Sequence, residues 1–184
     1  MKVIICGAGQ VGWQIARHLS GEHNDVTVVD SNPDLVRRAT DTLDVQGIAG
    51  FASYPDVLDR AGARDADMII AATYSDEVNM VTCQVAHSVF AIQRKIARLR
   101  SQSYLTAIYS DLYRRDHMPI DVVISPEREV AAAAMQRGLS MNIVKLPAMG
   151  SVFRIAPPLT ATDDEIDMGL DIMSSAIEAA VAGA

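Results

Sequence analysis

Aromatic side chains are scarce in this 184-residue chain, at 5% of the total. A surface for single-stranded nucleic acid needs stacking platforms, so this scarcity weighs against one. A basic excess is missing as well: 16 Lys and Arg stand against 23 Asp and Glu, a formal charge of −7. Phosphate backbones favour basic surfaces, and nucleic acid is therefore excluded as a partner. There are only two cysteines, Cys6 and Cys83. They share no metal-ligand spacing and lie in apolar runs, which predicts buried, reduced thiols and no metal site. No segment approaches the roughly 18 consecutive apolar residues that cross a bilayer. The apolar start through Cys6 is also too short for a signal peptide. The expectation is a cytoplasmic protein without direct membrane insertion.

What is present is a hydrophobic fraction of 49%, enough for a well-buried core in one sizeable domain plus an appendage. The first 138 residues alternate short β-rich runs with helical patterns, the signature of βαβ units. Strands are expected at Lys2–Cys6, Val26–Asp30, Val45–Ala49, Asp67–Thr73, Arg94–Leu99 and Ile120–Ser125. Helices are expected at Gln10–Leu19, from Pro33 to about Thr42, at Tyr54–Ala61, from Asp76 to about Phe90 and at Ser101–Tyr109, with Asp111–His117 as a polar connection. A last one runs from Pro126 to Arg137, where Gly138 is placed to end it. Asp76 and Glu77 suit the helix dipole at their positions. Right-handed crossovers then give an α/β, doubly wound Rossmann fold: a six-stranded parallel sheet of order 3-2-1-4-5-6.

Gly7-Ala8-Gly9-Gln10-Val11-Gly12 is a GxGxxG stretch set between the first strand and the first helix. Alone the motif is weak; in this context it reads as a dinucleotide fingerprint. Gly7 permits the tight turn, Gly9 lets a pyrophosphate approach, and Gly12 lets helix and strand pack closely. Free N–H groups near Gln10 and Val11 would face the phosphate. A glycine-rich turn that binds nothing is the alternative. Asp30 follows eighteen residues after Gly12, at the end of the second strand. A carboxylate there accepts from ribose hydroxyls and repels a 2′-phosphate, favouring NAD or another nucleotide with an unphosphorylated ribose over NADP. Its alternative reading is an acid at a helix N-terminus. Thr73 and Tyr74 end the fourth strand across the topological switch point, where ligands bind in open sheets. Arg98, at the end of the fifth strand, is placed to reach phosphates, with Lys95 and Arg100 as alternatives. His18, His23, His87 and His117 are scattered, and no acid–base constellation, nucleophile elbow or Walker lysine is present. Binding without catalysis is the expectation, with no catalytic residue assigned; a small NAD-dependent oxidoreductase is the competing reading.

The fingerprint, Val28-Val29-Asp30, and the run from Asp67 through Thr73, Tyr74 and Asp76 to Asn79 together resemble the RCK/KTN nucleotide-binding domain. Within that family, TrkA-type regulatory subunits of Trk potassium transporters share the most with this chain. Lys95-Ile96-Ala97-Arg98 and the stretch from Asp121 to Glu127 look like that group too. The resemblance covers about Met1 to Arg137. It implies a ligand-gated regulator rather than an enzyme, with NAD(H) or ATP/ADP in the cleft. It also implies a homodimer or higher homo-oligomer, and a membrane-embedded Trk-type transporter as partner on the inner face of the membrane. Carried over by position, Gly7 to Val11 would hold the pyrophosphate, Asp30 the ribose, and Thr73, Tyr74 and Arg98 further parts of the nucleotide. One departure stands out: where the family carries Gly-Asp after the third strand, this chain has Gly50-Phe51. A polar contact on the adenosine side is then expected to be absent.

Residues 139–184 form the second expected segment, a short β-β-α appendage. Met141 to Pro147, Val152 to Thr160 and Asp164 to Ile172 resemble the C-terminus of class III pyridoxal-phosphate-dependent aminotransferases, dialkylglycine decarboxylase among them. The resemblance makes Arg154 a carboxylate ligand. The large domain, phosphate cup and Schiff-base lysine of that family are missing, so transaminase activity is not expected and a fusion or chimera is. Strands at Asn142–Leu146 and Val152–Ala156 and a helix from Asp163 to Val181 are expected, the helix with Ile166, Leu170, Met173 and Ile177 on its apolar face.

Overall fold

The computed structural model describes residues 1–125, the strands at 141–146 and 150–155, and the helix at 163–182, with side chains of the last segments described only for 167–177. The chain divides into two compact units, Met1–Ile124 and Ser125–Ala184. The helix expected from Pro126 to Arg137, its stop at Gly138, the boundary at 138/139 and the Arg154 and Ile166 side chains lie outside the described residues.

The first unit holds the strands β1 (Lys2–Cys6), β2 (Asp25–Asp30), β3 (Gln46–Ala49), β4 (Met68–Ala71), β5 (Arg94–Arg98) and β6 (Val122–Ile124). They form one parallel sheet of order β3-β2-β1-β4-β5-β6, as the sequence pattern implies. The helices between them are α1 (Gln10–Gly21), α2 (Pro33–Thr42), α3 (Pro55–Arg60) and α4 (Asp76–Ser88). Strand alternation divides the core between the two faces of the sheet. Val3 and Ile5 of β1 join Val26, Val28, Met68 and Ile70 in a cluster with Ala16 of α1 and Ala39 of α2. Ile4 and Cys6 join Val29 and Ile69 in a second cluster with Val57 and Leu58 of α3 and Ala86 of α4. A parallel strand covered on both faces must be apolar throughout, and β4 is buried at all four positions.

Two expectations are corrected. The expected helix Ser101–Tyr109 is instead a short α5 (Gln102–Leu105) and a 3₁₀ turn at Ala107–Tyr113, divided at Thr106 in extended backbone. The Tyr113 hydroxyl donates to the Tyr104 carbonyl at 2.8 Å, and a continuing α-helix would offer that carbonyl to the N–H four residues on. The fourth strand ends at Ala71 rather than Thr73, because the Thr73 N–H donates to Asn79 Oδ1 at 2.8 Å.

In the second unit, β7 (Met141–Leu146) and β8 (Gly150–Ile155) pair antiparallel, and α6 (Asp163–Ala182) follows. Among the described side chains of α6, Leu170 and Ile177 of the expected apolar stripe are exposed, while Ala176 is buried. Helical spacing shows which side chains share a face, but not whether anything covers it. No helix among the described residues is long and apolar enough to cross a membrane.

Candidate functional site

The β1–α1 turn is built on glycines that fail in different ways if enlarged. Gly7 has φ +106°, in the region that favours glycine, and a Cβ there would sit 2.7 Å from the Ala72 carbonyl oxygen. A Cβ on Gly12 would overlap the Gly7 carbonyl oxygen, so helix and turn touch backbone to backbone. Gly9 differs. It is the N-cap of α1 with φ −66° and ψ −173°, a conformation open to any residue, and a Cβ there would meet nothing within 4 Å. Neither backbone nor packing requires glycine at this position. The room it leaves faces outward, at a helix start that has no side-chain cap. Orphan N–H groups beside free space fit a phosphate.

Asp30 closes the loop from the side. Its Oδ2 accepts from the Ala8 N–H at 2.6 Å and its Oδ1 accepts from the Asn32 N–H at 2.8 Å. The Asn32 side chain in turn caps α2 by accepting from the Asp34 N–H. Capping therefore falls to Asn32, and Asp30 is free of that role. Each Asp30 oxygen retains a second lone pair for a hydroxyl donor.

A cleft of about 460 Å³ runs along the carboxyl ends of the strands. It brings together Gly7, Gly9, Gln10, Val11, Asp30, Thr73, Tyr74 and Arg98 of the sequence-derived set. Ala8 and Gly12 are buried beneath the loop rather than lining the cleft. Lys95 and Arg100, the alternatives to Arg98, are employed elsewhere. Lys95 is fully buried, and its Nζ donates to the Ile92 and Gln93 carbonyls and pairs with Asp121 at 2.9 Å. Arg100 is buried beside Asp76, with its guanidinium 4.2 Å from the centre of the Tyr74 ring.

Two buried residues position the far wall, and sequence reading had given neither this task. Asn79 is fully buried; its Oδ1 accepts from the Thr73 N–H and hydroxyl, and its Nδ2 donates to the Arg98 carbonyl at 2.8 Å. Asp76 accepts from the Arg100 N–H through both oxygens and from the Ser101 N–H at 2.7 Å. It clamps the end of β5, a larger role than the dipole partner its position suggests. Phe51 also lines the cleft, at the end of β3, together with Ser31, Leu35 and Ala52. The sole sequence signal for it was the departure from Gly-Asp.

Both cysteines are buried and neither lines the cleft. Burial pushes the Cys83 thiol up to about 12 and raises Cys6 further. Among the described residues, no group of three or more His, Cys, Asp or Glu is placed to hold a metal ion.

Residues 3–126, more than half of the chain, match the family model of the TrkA-N domain. The chain belongs to the TrkA-N family. A Trk system potassium uptake protein TrkA from Azorhizobium caulinodans is 57% identical over 137 residues, 74% of this chain and 30% of its own length. This chain thus spans about three tenths of the curated relatives it matches. Among solved structures, the TrkA-N domain of inner membrane protein YbaL from Escherichia coli superposes with a TM-score of 0.63 at 17% identity, over 74% of this chain and 95% of that one. A GsuK channel bound to NAD gives 0.58 at 17% identity, over 78% of this chain and 25% of that one. At these identities the two likenesses show a shared fold alone. The family match ends at residue 126, and the aminotransferase resemblance expected for residues 139–184 is not shown.

Proposed function

We propose that this chain is the nucleotide-sensing part of a regulatory subunit that gates potassium uptake through a Trk-type transporter. The ligand is NAD(H), or alternatively ATP/ADP. The observation that carries this reading is the uncapped α1 start at Gly9, open to solvent and flanked by the Asp30 carboxylate. Membership of the TrkA-N family and the names of the curated relatives support the transport assignment.

In this reading Gly9, Gln10 and Val11 hold the phosphates, with Gly7, Ala8 and Gly12 shaping the turn. Asp30 accepts from the ribose, and Thr73, Tyr74 and Arg98 face the remainder of the nucleotide. The subunit works as a homodimer or higher homo-oligomer at the cytoplasmic face of the membrane, held there by its transporter. A bound nucleotide shifts the pore to the extent that it binds the open and closed arrangements differently.

Titration calorimetry of the purified chain with NADH, NAD, ATP and ADP tests the site. Saturable binding is expected, without NADH oxidation against a panel of carbonyl substrates. Rejection of all four at millimolar concentration would remove the assignment. Turnover would move it to a small NAD-dependent oxidoreductase.

A further inference from the structure

We propose that Phe51 is the platform on which the nucleotide base rests, and that the site holds the base by its face rather than reading its edge. The inference rests on the cleft being a nucleotide site. Order along the sheet places the base: β1, β2 and β3 lie side by side, and adjacent strands are about 4.8 Å apart. A phosphate at the β1 turn and a ribose at Asp30 on the end of β2 direct the third part of the ligand to the end of β3. The distance, about 10 Å from β1 to β3, suits a nucleotide running from phosphate to base. The two strand ends are tied, since the Gly50 N–H donates to the Asp30 carbonyl at 2.9 Å.

What waits at the end of β3 is a ring. Phe51 lines the cleft yet is 55% exposed, a costly state for a large apolar side chain. The Tyr54 ring braces it, with centroids 5.4 Å apart and planes inclined by 39°. The neighbouring lining is apolar, from Leu35 and Ala52. Of the polar side chains that line the cleft, the one nearest to Phe51 in sequence is Ser31, whose hydroxyl both donates and accepts and so distinguishes little. The Phe51 carbonyl accepts from the Tyr54 N–H at 3.0 Å, which braces the loop below the ring. A π face attracts every purine, and stacking is tolerant of base identity. Discrimination between adenine and guanine or hypoxanthine requires edge donors and acceptors, which these side chains do not supply.

The test is titration calorimetry of the full chain with ADP, GDP and IDP, on wild type and on Phe51→Ala, Phe51→Trp and Asp30→Ala. Melting curves verify that each variant is folded. Wild type is expected to bind the three diphosphates within about threefold of one another. Phe51→Ala should weaken all three by about fivefold or more, and Phe51→Trp should retain them. More than tenfold preference for ADP in wild type would overturn the proposal. So would unchanged affinity in Phe51→Ala. If Asp30→Ala weakens binding while Phe51→Ala does not, the cleft assignment stands and the platform fails. If wild type binds NADH but none of the three diphosphates, the platform fails and the cleft assignment stands; if it rejects NADH as well, the nucleotide reading fails and the platform falls with it.

Discussion

Ala8 and Asp30 are joined by a 2.6 Å hydrogen bond from the glycine-turn N–H to the carboxylate Oδ2. The residue proposed to hold the ribose thus also fixes the turn proposed to hold the phosphates. Asp30→Ala removes both effects. NAD affinity should fall by about 1–3 kcal/mol, the scale of charge-assisted hydrogen bonds, as read by calorimetry. An unchanged dissociation constant would place the ribose contact elsewhere.

Gly9 and Gly12 separate ligand space from protein packing. Gly9→Ala points its methyl into open space, so the thermal midpoint should stay near that of wild type while nucleotide affinity drops. Gly12→Ala meets the Gly7 carbonyl and should lose about 1–3 kcal/mol of stability or more, as overpacking does. Urea titration with parallel binding curves distinguishes the two, and a Gly9→Ala protein that binds as wild type does would contradict the assignment.

Asn79 holds Thr73 and the Arg98 carbonyl from within the core. Asn79→Leu fills much of the same volume but leaves those backbone groups unsatisfied. A loss of about 1–3 kcal/mol is expected for each orphaned group in denaturant unfolding. Asn79→Ala, with no bulk to resist collapse, checks whether the loss follows the hydrogen bonds rather than overpacking.

Acid stability should depend on Asp121. Burial alone would raise its carboxyl, but hydrogen bonds from the Lys95 side chain and N–H outweigh that and hold it below the usual 3.8. A carboxyl lowered in the folded state contributes stability that is fully present above its unfolded value. That contribution fades as pH falls through the lower folded value. Urea midpoints at pH 6 and pH 3 should therefore diverge more for wild type than for Asp121→Asn. Equal divergence would show that the Lys95–Asp121 pair does not contribute to acid sensitivity.

Local chemistry made the turn legible. A glycine stretch between a strand and a helix carries its own backbone requirement, and the continuous apolar runs of β1 and β4 announce strands covered on both faces. Strand order follows from crossover handedness, which brings Gly7 to Val11, Asp30, Thr73, Tyr74 and Arg98 to the carboxyl end of one sheet. Partners distant in sequence were not legible. Lys95 and Arg98 look equivalent along the strand, yet period-two alternation sends residues three apart to opposite faces. Tertiary packing alone decided that Lys95 would be spent on Asp121 while Arg98 lines the cleft. Asp76 likewise reads as a helix-dipole partner and Asn79 as the end of the run that resembles the RCK/KTN domain, and their hold on β5 shows only when that strand lies beside them. Which buried acceptor meets which backbone donor is settled by long-range contact, and no local pattern encodes it.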